Sequence, residues 1–278
     1  MIATASTDVR TSVVRATSMK EIAAVSAVVT SVTGYTDIHP AVLRTVLETG
    51  GYVAGAYDDS GACVGALYGL IGVRDGRPFL HSEMLAVVPF ARGGHLARAL
   101  KLDQRAFALE REIEVVTWTY DPLRGVNANL NIRRLGCEVI GYERDMYGEL
   151  PGYSSGWPTD QVLLEWRVGS PRVAEVVAGT YEPGYRRAEI PNAVETSVRA
   201  DGLLVFERVI DVDDPVVLIE IPDSIQAMRW LDMHAVLRWR VGIRDAFELY
   251  LGRGYEVDWF LSDLDGRRRN FYVLRRRG

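Results

Sequence analysis

The sequence predicts an α/β protein with a mixed sheet, and three features predict it. The elements read in the order β-α-α-β-β-β-α-β-α-β over the first 150 residues. The apolar period changes from two to helical after Pro89. A strand–helix–strand run from Pro78 to Tyr120 implies a parallel crossover, because antiparallel neighbours need only a short turn. Helices on both faces of such a sheet are the simplest packing.

Val13–Ala16 is the first strand. Ser18 and Glu21 have capping-box spacing and open a helix whose Ile22, Val25, Val29 and Val32 share one face. Pro40 suits the first turn of a second helix with Val42, Leu43, Val46 and Leu47 inward, stopped by Gly50-Gly51. Tyr52–Tyr57, Cys63–Val73 and Pro78–Val88 form an antiparallel meander, with Asp75-Gly76 as a hairpin turn. Leu96–Leu109 is amphipathic, with Leu96, Ala99, Leu100, Leu102, Ala106, Phe107 and Leu109 inward and Lys101, Gln104, Arg105 and Arg111 on the polar side. Asp103 lies in the apolar arc, placed to pair with an arginine. Glu114–Tyr120 is a strand broken by Asp121-Pro122. A short helix around Ala128, Ile132 and Leu135 stops at Gly136, and Cys137–Tyr147 closes the unit.

The expected organisation is a loose tail at 1–12, a domain at 13–150, a Gly/Pro/Ser-rich crossing at 151–185 containing a strand at Gln161–Trp166, and a second domain at 186–278. That second part has a strand at Val216–Ile221, a helical stretch from Ser224 to Leu251, and strands at Val257–Leu261 and Asn270–Leu274.

The chain has 278 residues, 48% hydrophobic and 25% charged, with net charge −5. A mildly acidic chain is a poor match for nucleic acid. Arg267–Arg269 and Arg275–Arg277 read as a solvated turn and a frayed end. Cys63 and Cys137 read as free thiols in a reducing cytoplasm. Four separated histidines support no metal site. No apolar run approaches the ~20 residues of a membrane helix. We expect a cytoplasmic protein, monomer or homodimer, with no membrane partner.

The most informative segment is Leu85–Arg98, in which a strand ends, a glycine turn follows and a helix begins. The first helical turn leaves backbone N–H groups unpaired and carries the positive end of the macrodipole. Small residues let a phosphate approach those groups, and Arg92 and Arg98 add charge. The arrangement suits a pyrophosphate.

The run Arg92-Gly93-Gly94-His95-Leu96-Ala97 resembles the Arg/Gln-x-x-Gly-x-Gly/Ala loop of the GNAT superfamily of acyl-CoA-dependent acyltransferases. Arg92 matches its first position and Ala97 its last. His95 stands where the family's first glycine usually falls, and Gly94 is one place early. Thr117–Leu123 and Asn127–Gly136 are similar to a subgroup associated with N-acylamino-acid racemases, and Leu218–Pro222 and Trp239–Tyr255 extend that likeness. The resemblance implies a GNAT fold with a C-terminal, partly GNAT-like second domain. It also implies acetyl-CoA or succinyl-CoA as donor and a small-molecule amine, an amino acid first, as acceptor. An amino sugar or secondary-metabolite amine is the alternative acceptor. A non-catalytic acyl-CoA sensor is the alternative class.

Under this resemblance, Leu85, Ala86 and Val87 would hold the cofactor's pantetheine arm, and Arg92–Arg98 its diphosphate. Amine attack on a thioester needs a general base. Glu83 is the first candidate, because a carboxylate on a mostly apolar central strand is costly unless paired or used. His81 is the second, and period two puts His81, Glu83, Leu85 and Val87 on one face. Ile132 stands where many members place an acidic tyrosine, so Tyr147 or Tyr142 is the candidate acid. Asn127 could contact the cofactor or cap its helix, and Asn129 could contact the acceptor. Asp121 could hold the acceptor's ammonium or simply build the Asp-Pro turn. After Pro222 the sequence Asp223-Ser224-Ile225-Gln226 has no glycine and no arginine, so this second helix start should not bind an anion.

Overall fold

The computed structural model describes residues 11–34, 38–93, 95–148, 157–263 and 269–278. The tail expected at 1–12 falls almost wholly outside them. The chain forms two compact units, Met1–Trp118 with Arg167–Gly169, and Thr119–Trp166 with Ser170–Gly278.

The first unit is a mixed sheet with helices on both faces. β1 (Ser12–Arg15), β2 (Tyr52–Tyr57), β3 (Cys63–Arg74) and β4 (Arg77–Val87) pair antiparallel in sequence order. β5 (Val115–Tyr120) begins in this unit and runs parallel to β4. Asp75 and Gly76 close the β3–β4 hairpin with φ of 52° and 74°, the twist that a two-residue turn requires.

α1 (Met19–Thr33) starts at the expected capping box. Glu21 N donates to Ser18 Oγ at 3.3 Å, and Glu21 Oε2 accepts from Ser18 N at 2.9 Å. α2 (Pro40–Glu48) has Pro40 in its first turn and is capped by His39, whose Nδ1 accepts from Ala41 N at 3.2 Å. Leu43 and Val46 are buried as expected, whereas Val42 is exposed. Ile22, Val25, Val29, Leu43 and Val46 pack with Ala66, Tyr68 and Ala86 on one face of the sheet.

α3 (Leu96–Leu109) covers the other face, where a side chain at Gly65 would meet Leu96 and Leu100. The inward stripe differs from the expected one. Leu96, Leu100, Lys101, Gln104, Phe107 and Ala108 are buried, while Leu109 is exposed. A hydrophobicity pattern assigns a lysine and a glutamine outward; the sheet instead accepts both. Asp103 pairs as expected, accepting from Arg15 Nε at 2.9 Å and Tyr52 OH at 2.7 Å.

In the second unit, α4 (Gly125–Ala128) runs into a π-helical segment, Asn129–Arg134, and ends at Gly136 with φ 75°. β6 (Glu138–Glu143) and β7 (Gln161–Arg167) pair antiparallel. α5 (Pro171–Ala178), capped by Ser170, lies inside the expected crossing. A hairpin of β8 (Val194–Val198) and β9 (Leu204–Val209) was not anticipated. β10 (Val216–Ile221), β11 (Tyr255–Asp263) and β12 (Arg269–Arg276) form an antiparallel sheet with β12 central.

The long helical stretch is two helices, α6 (Ile225–Arg229) and α7 (Met233–Gly252), parted where Asp232 accepts from Ala235 N at 3.0 Å. The C-terminal arginines are structured, contrary to expectation. Arg269 holds the fully buried Glu220 through two hydrogen bonds of 2.6 Å, and Arg275 and Arg276 pair with Asp258 and Asp213. Arg267 and Arg268 lie outside the described residues. Both cysteines are thiols, Cys137 buried and Cys63 half-buried. Among the described residues, no helix is long and apolar enough to cross a membrane.

Candidate active site

One side-chain group and one backbone feature of the first unit come together along β4. The backbone feature is a parting of strands. β4 pairs with β5 at Leu80↔Val116 and His81↔Thr117, and Ser82–Val87 run on past that last rung. Val88 N donates to Val64 O at 3.0 Å, so by antiparallel alternation the backbone groups of Leu85 and Val87 point away from β3. Ala86, expected beside them, turns its own backbone to β3. Arg92 Nε donates to Val87 O at 2.9 Å, which folds that side chain back along the strand end.

Beyond Val88 a short turn leads to α3. Gly93 adopts φ 87°, the left-handed conformation natural to glycine, while His95 has φ −90° and ψ 2°. The turn therefore asks nothing of His95 that a histidine resists. Gly94 lies outside the described residues. Among the described residues no side chain caps α3, and a bond from Ala99 N to His95 O at 2.8 Å closes its first turn. Leu96 is buried, and Ala97 and Arg98 are half-buried. An uncapped helix of 14 residues after a glycine turn fits an anionic diphosphate. The start of α6 contrasts with it, because Ser224 Oγ accepts from Ala227 N at 3.2 Å.

The side-chain group on the α1 face is His81, Glu83, Thr117 and Tyr68. Period two fails here for a physical reason. Tyr68 pairs with Met84 and Gly69 with Ser82, so Glu83 is the extra residue of a β-bulge. Leu80 and Ser82 face α3 before the bulge, whereas Met84, Ala86 and Val88 pack with α1 after it. His81 and Glu83 thus lie on the opposite face from Leu85 and Val87, which corrects the single-face expectation.

His81 Nδ1 lies 3.0 Å from Thr117 Oγ1, and its Nε2 lies 3.4 Å from Glu83 Oε2. The hydrogen bond from His81 holds the Glu83 carboxyl below its ordinary range, against an opposing effect of burial. Burial, then the Glu83 charge, pushes the buried Tyr68 phenol up to about 12. Glu83 keeps 46% of its side chain exposed, so a substrate or water can reach it. Thr117 and Tyr68 were missed in the sequence because their roles depend on cross-strand register.

The remaining candidates belong to the second unit. Tyr147 OH lies 2.8 Å from Thr119 Oγ1 and is half exposed. Asn127 and Asn129 are half-buried. Tyr142 donates to Asp160 at 2.7 Å. Asp121 is already engaged: Oδ1 accepts from Leu123 N at 3.0 Å and Oδ2 from Arg240 at 2.8 Å, with both side chains about nine-tenths buried. Its carboxylate builds the turn and pairs with a cation of the same chain.

No family model and no curated protein matches the chain. Among solved structures, a GNAT family acetyltransferase from Elizabethkingia anophelis with acetyl-CoA bound is 12% identical. The alignment covers 56% of this chain and 97% of that one, with a TM-score of 0.44. A chain of the NatC complex bound to Gag peptide and CoA is 14% identical, with 56% and 98% covered and a TM-score of 0.46.

Proposed function

We propose that the protein is an N-acyltransferase of the GNAT type, moving an acetyl or succinyl group from coenzyme A to the amine of a small molecule, an amino acid first. One observation carries this reading: β4 parts from β5 just before a glycine turn that opens an uncapped helix. Such a corner can hold an extended chain along the strand edge and a diphosphate at the helix start. The bound thioester would supply an activated acyl carbon.

The chain's own residues do the rest. Amide hydrogens at His95, Leu96 and Ala97, with Gly93 shaping the approach, hold the diphosphate; Arg98 adds charge. Leu85 offers both backbone groups, and Val87 its amide, to the pantetheine. Glu83 takes the proton from the attacking amine, directly or through a water, and His81 orients it. His81 is in turn held by Thr117. A carboxylate with a lowered pKa is ionised at neutral pH, the form that can accept a proton from the amine. Tyr147 is the proposed donor. Asn127 and Asn129 are proposed polar contacts.

Release of free thiol from acetyl-CoA and succinyl-CoA, measured against a panel of amino acids of both hands, tests the reading. The expected result is acceptor-dependent turnover that falls on Glu83→Gln. Tight coenzyme binding without turnover on any amine would contradict it.

A further inference from the structure

The polar residues on the buried stripe of α3 sit at one place, the closed end of the gap between β4 and β5. Lys101 is 2% exposed. Its Nζ donates to Ser82 Oγ at 2.8 Å and to Gln104 Oε1 at 3.2 Å, and it lies 3.5 Å from the centre of the Trp118 ring. Ser82 follows His81 on β4, and Trp118 follows Thr117 on β5. His81↔Thr117 is the last rung of the parallel ladder. The ammonium therefore links the two strands one residue past the point where the backbone ladder stops. On the opposite face, His81 and Thr117 make the matching side-chain link at 3.0 Å.

Burying an ammonium is expensive, so its retention calls for a purpose beyond filling space. The chain's choice of cation sharpens this. Thirty of its 32 basic residues are arginine; the lysines are Lys20 and Lys101. A compact ammonium can sit over an indole face while bonding a hydroxyl, whereas a planar guanidinium needs a wider slot. The room is made by Gly69, paired with Ser82: a side chain there would stand 2.7 Å from His81 O and 3.3 Å from Gln104 Nε2. Gln104 orients the lysine through Oε1, and its buried Nε2 has no hydrogen-bond partner among the described residues.

We propose that Lys101 is a positioning residue that pins β4 to β5 at the apex of their parting and so fixes the closed end of the cofactor cleft. The strand-pinning role stands on this geometry alone; its effect on coenzyme binding rests on the function proposed above.

Hydrogen exchange on the free, full-length protein reads the pinning directly. In Lys101→Met, amides of Val116–Trp118 and Ser82–Met84 should exchange about tenfold faster, as loss of a charged hydrogen bond and a cation–π contact predicts. Amides of α1 and β2 should be unchanged. Ser82→Ala, which keeps the lysine but removes its β4 anchor, should accelerate the same segments. The Kd for coenzyme A should rise about tenfold in Lys101→Met, matching the lost restraint. Unchanged exchange in both variants overturns the proposal, as does acceleration spread evenly over the whole unit. Local acceleration with an unaltered Kd overturns the link to the cleft. A wild-type protein that binds no coenzyme A would instead refute the proposed function, while the exchange data still decide the pinning.

Discussion

Asp121→Asn separates a structural carboxylate from a substrate-binding one. The asparagine keeps an oxygen for the Leu123 amide, so the turn survives. What it removes is the negative charge 2.8 Å from the Arg240 guanidinium, with side chains 7% and 10% exposed. Arg240 also donates to Pro158 O at 3.2 Å and lies 5.3 Å from the centre of the Trp157 ring, but neither contact supplies the negative charge that Asp121 does. Breaking a buried pair on one side costs about 3–5 kcal/mol, because the other charge stays buried. Taking about 3 kcal/mol, and roughly 2–4 °C per kcal/mol for a protein of this size, the melting midpoint should fall by about 6–12 °C. Circular dichroism melts of the single variant and of Asp121→Asn/Arg240→Met measure it, and the double variant should recover much of the loss. An unchanged midpoint together with a raised KM for the amine would refute the reasoning and return Asp121 to the acceptor site.

Three further outcomes follow from the geometry. Glu83→Gln should lower kcat about 100-fold or more with little change in melting temperature, since general-base contributions are of that order and the side chain is half exposed. The lowered Glu83 pKa places the acid limb of the wild-type kcat/KM profile below the ordinary carboxylate range, with the active form present at every higher pH. His81→Ala should move that limb up towards the ordinary range, and a limb that stays put contradicts the pairing. Asp103→Ala removes the acceptor of the Arg15 and Tyr52 hydrogen bonds and should cost about 2–3 kcal/mol in chemical denaturation. Gly242→Ala would put a methyl 2.3 Å from the Phe206 ring, where overpacking costs about 1–3 kcal/mol by the same assay.

Local signals were legible in the sequence where local physics decides. The Ser18/Glu21 capping box, Pro40 in its first turn and the Asp75-Gly76 hairpin each act within four residues, and each stands as read. The Ser170-Pro171 pair had the same character and would have revealed α5. What could not be read depends on register. The bulge at Glu83 reverses the faces of β4, and nothing in its own sequence marks which residue is the extra one. The inward turn of Lys101 and Gln104 depends on a gap at Gly69 and a hydroxyl at Ser82 that only strand pairing brings beneath them. The scarcity of lysine beside so many arginines was a visible hint that Lys101 is not an ordinary surface cation. The arginines of β12 read as loose because their carboxylates, Glu220, Asp213 and Asp258, are distant in sequence.

The uncapped start of α3 is the feature on which the functional account turns. Titrating isotope-labelled protein with coenzyme A, while following the backbone amides of His95, Leu96 and Ala97, examines it at the atoms concerned. The account predicts saturable shifts in those amides, weakened when dephosphorylated pantetheine replaces the coenzyme. Amides that stay still at saturating coenzyme A, or shifts confined to other parts of the chain, would contradict it.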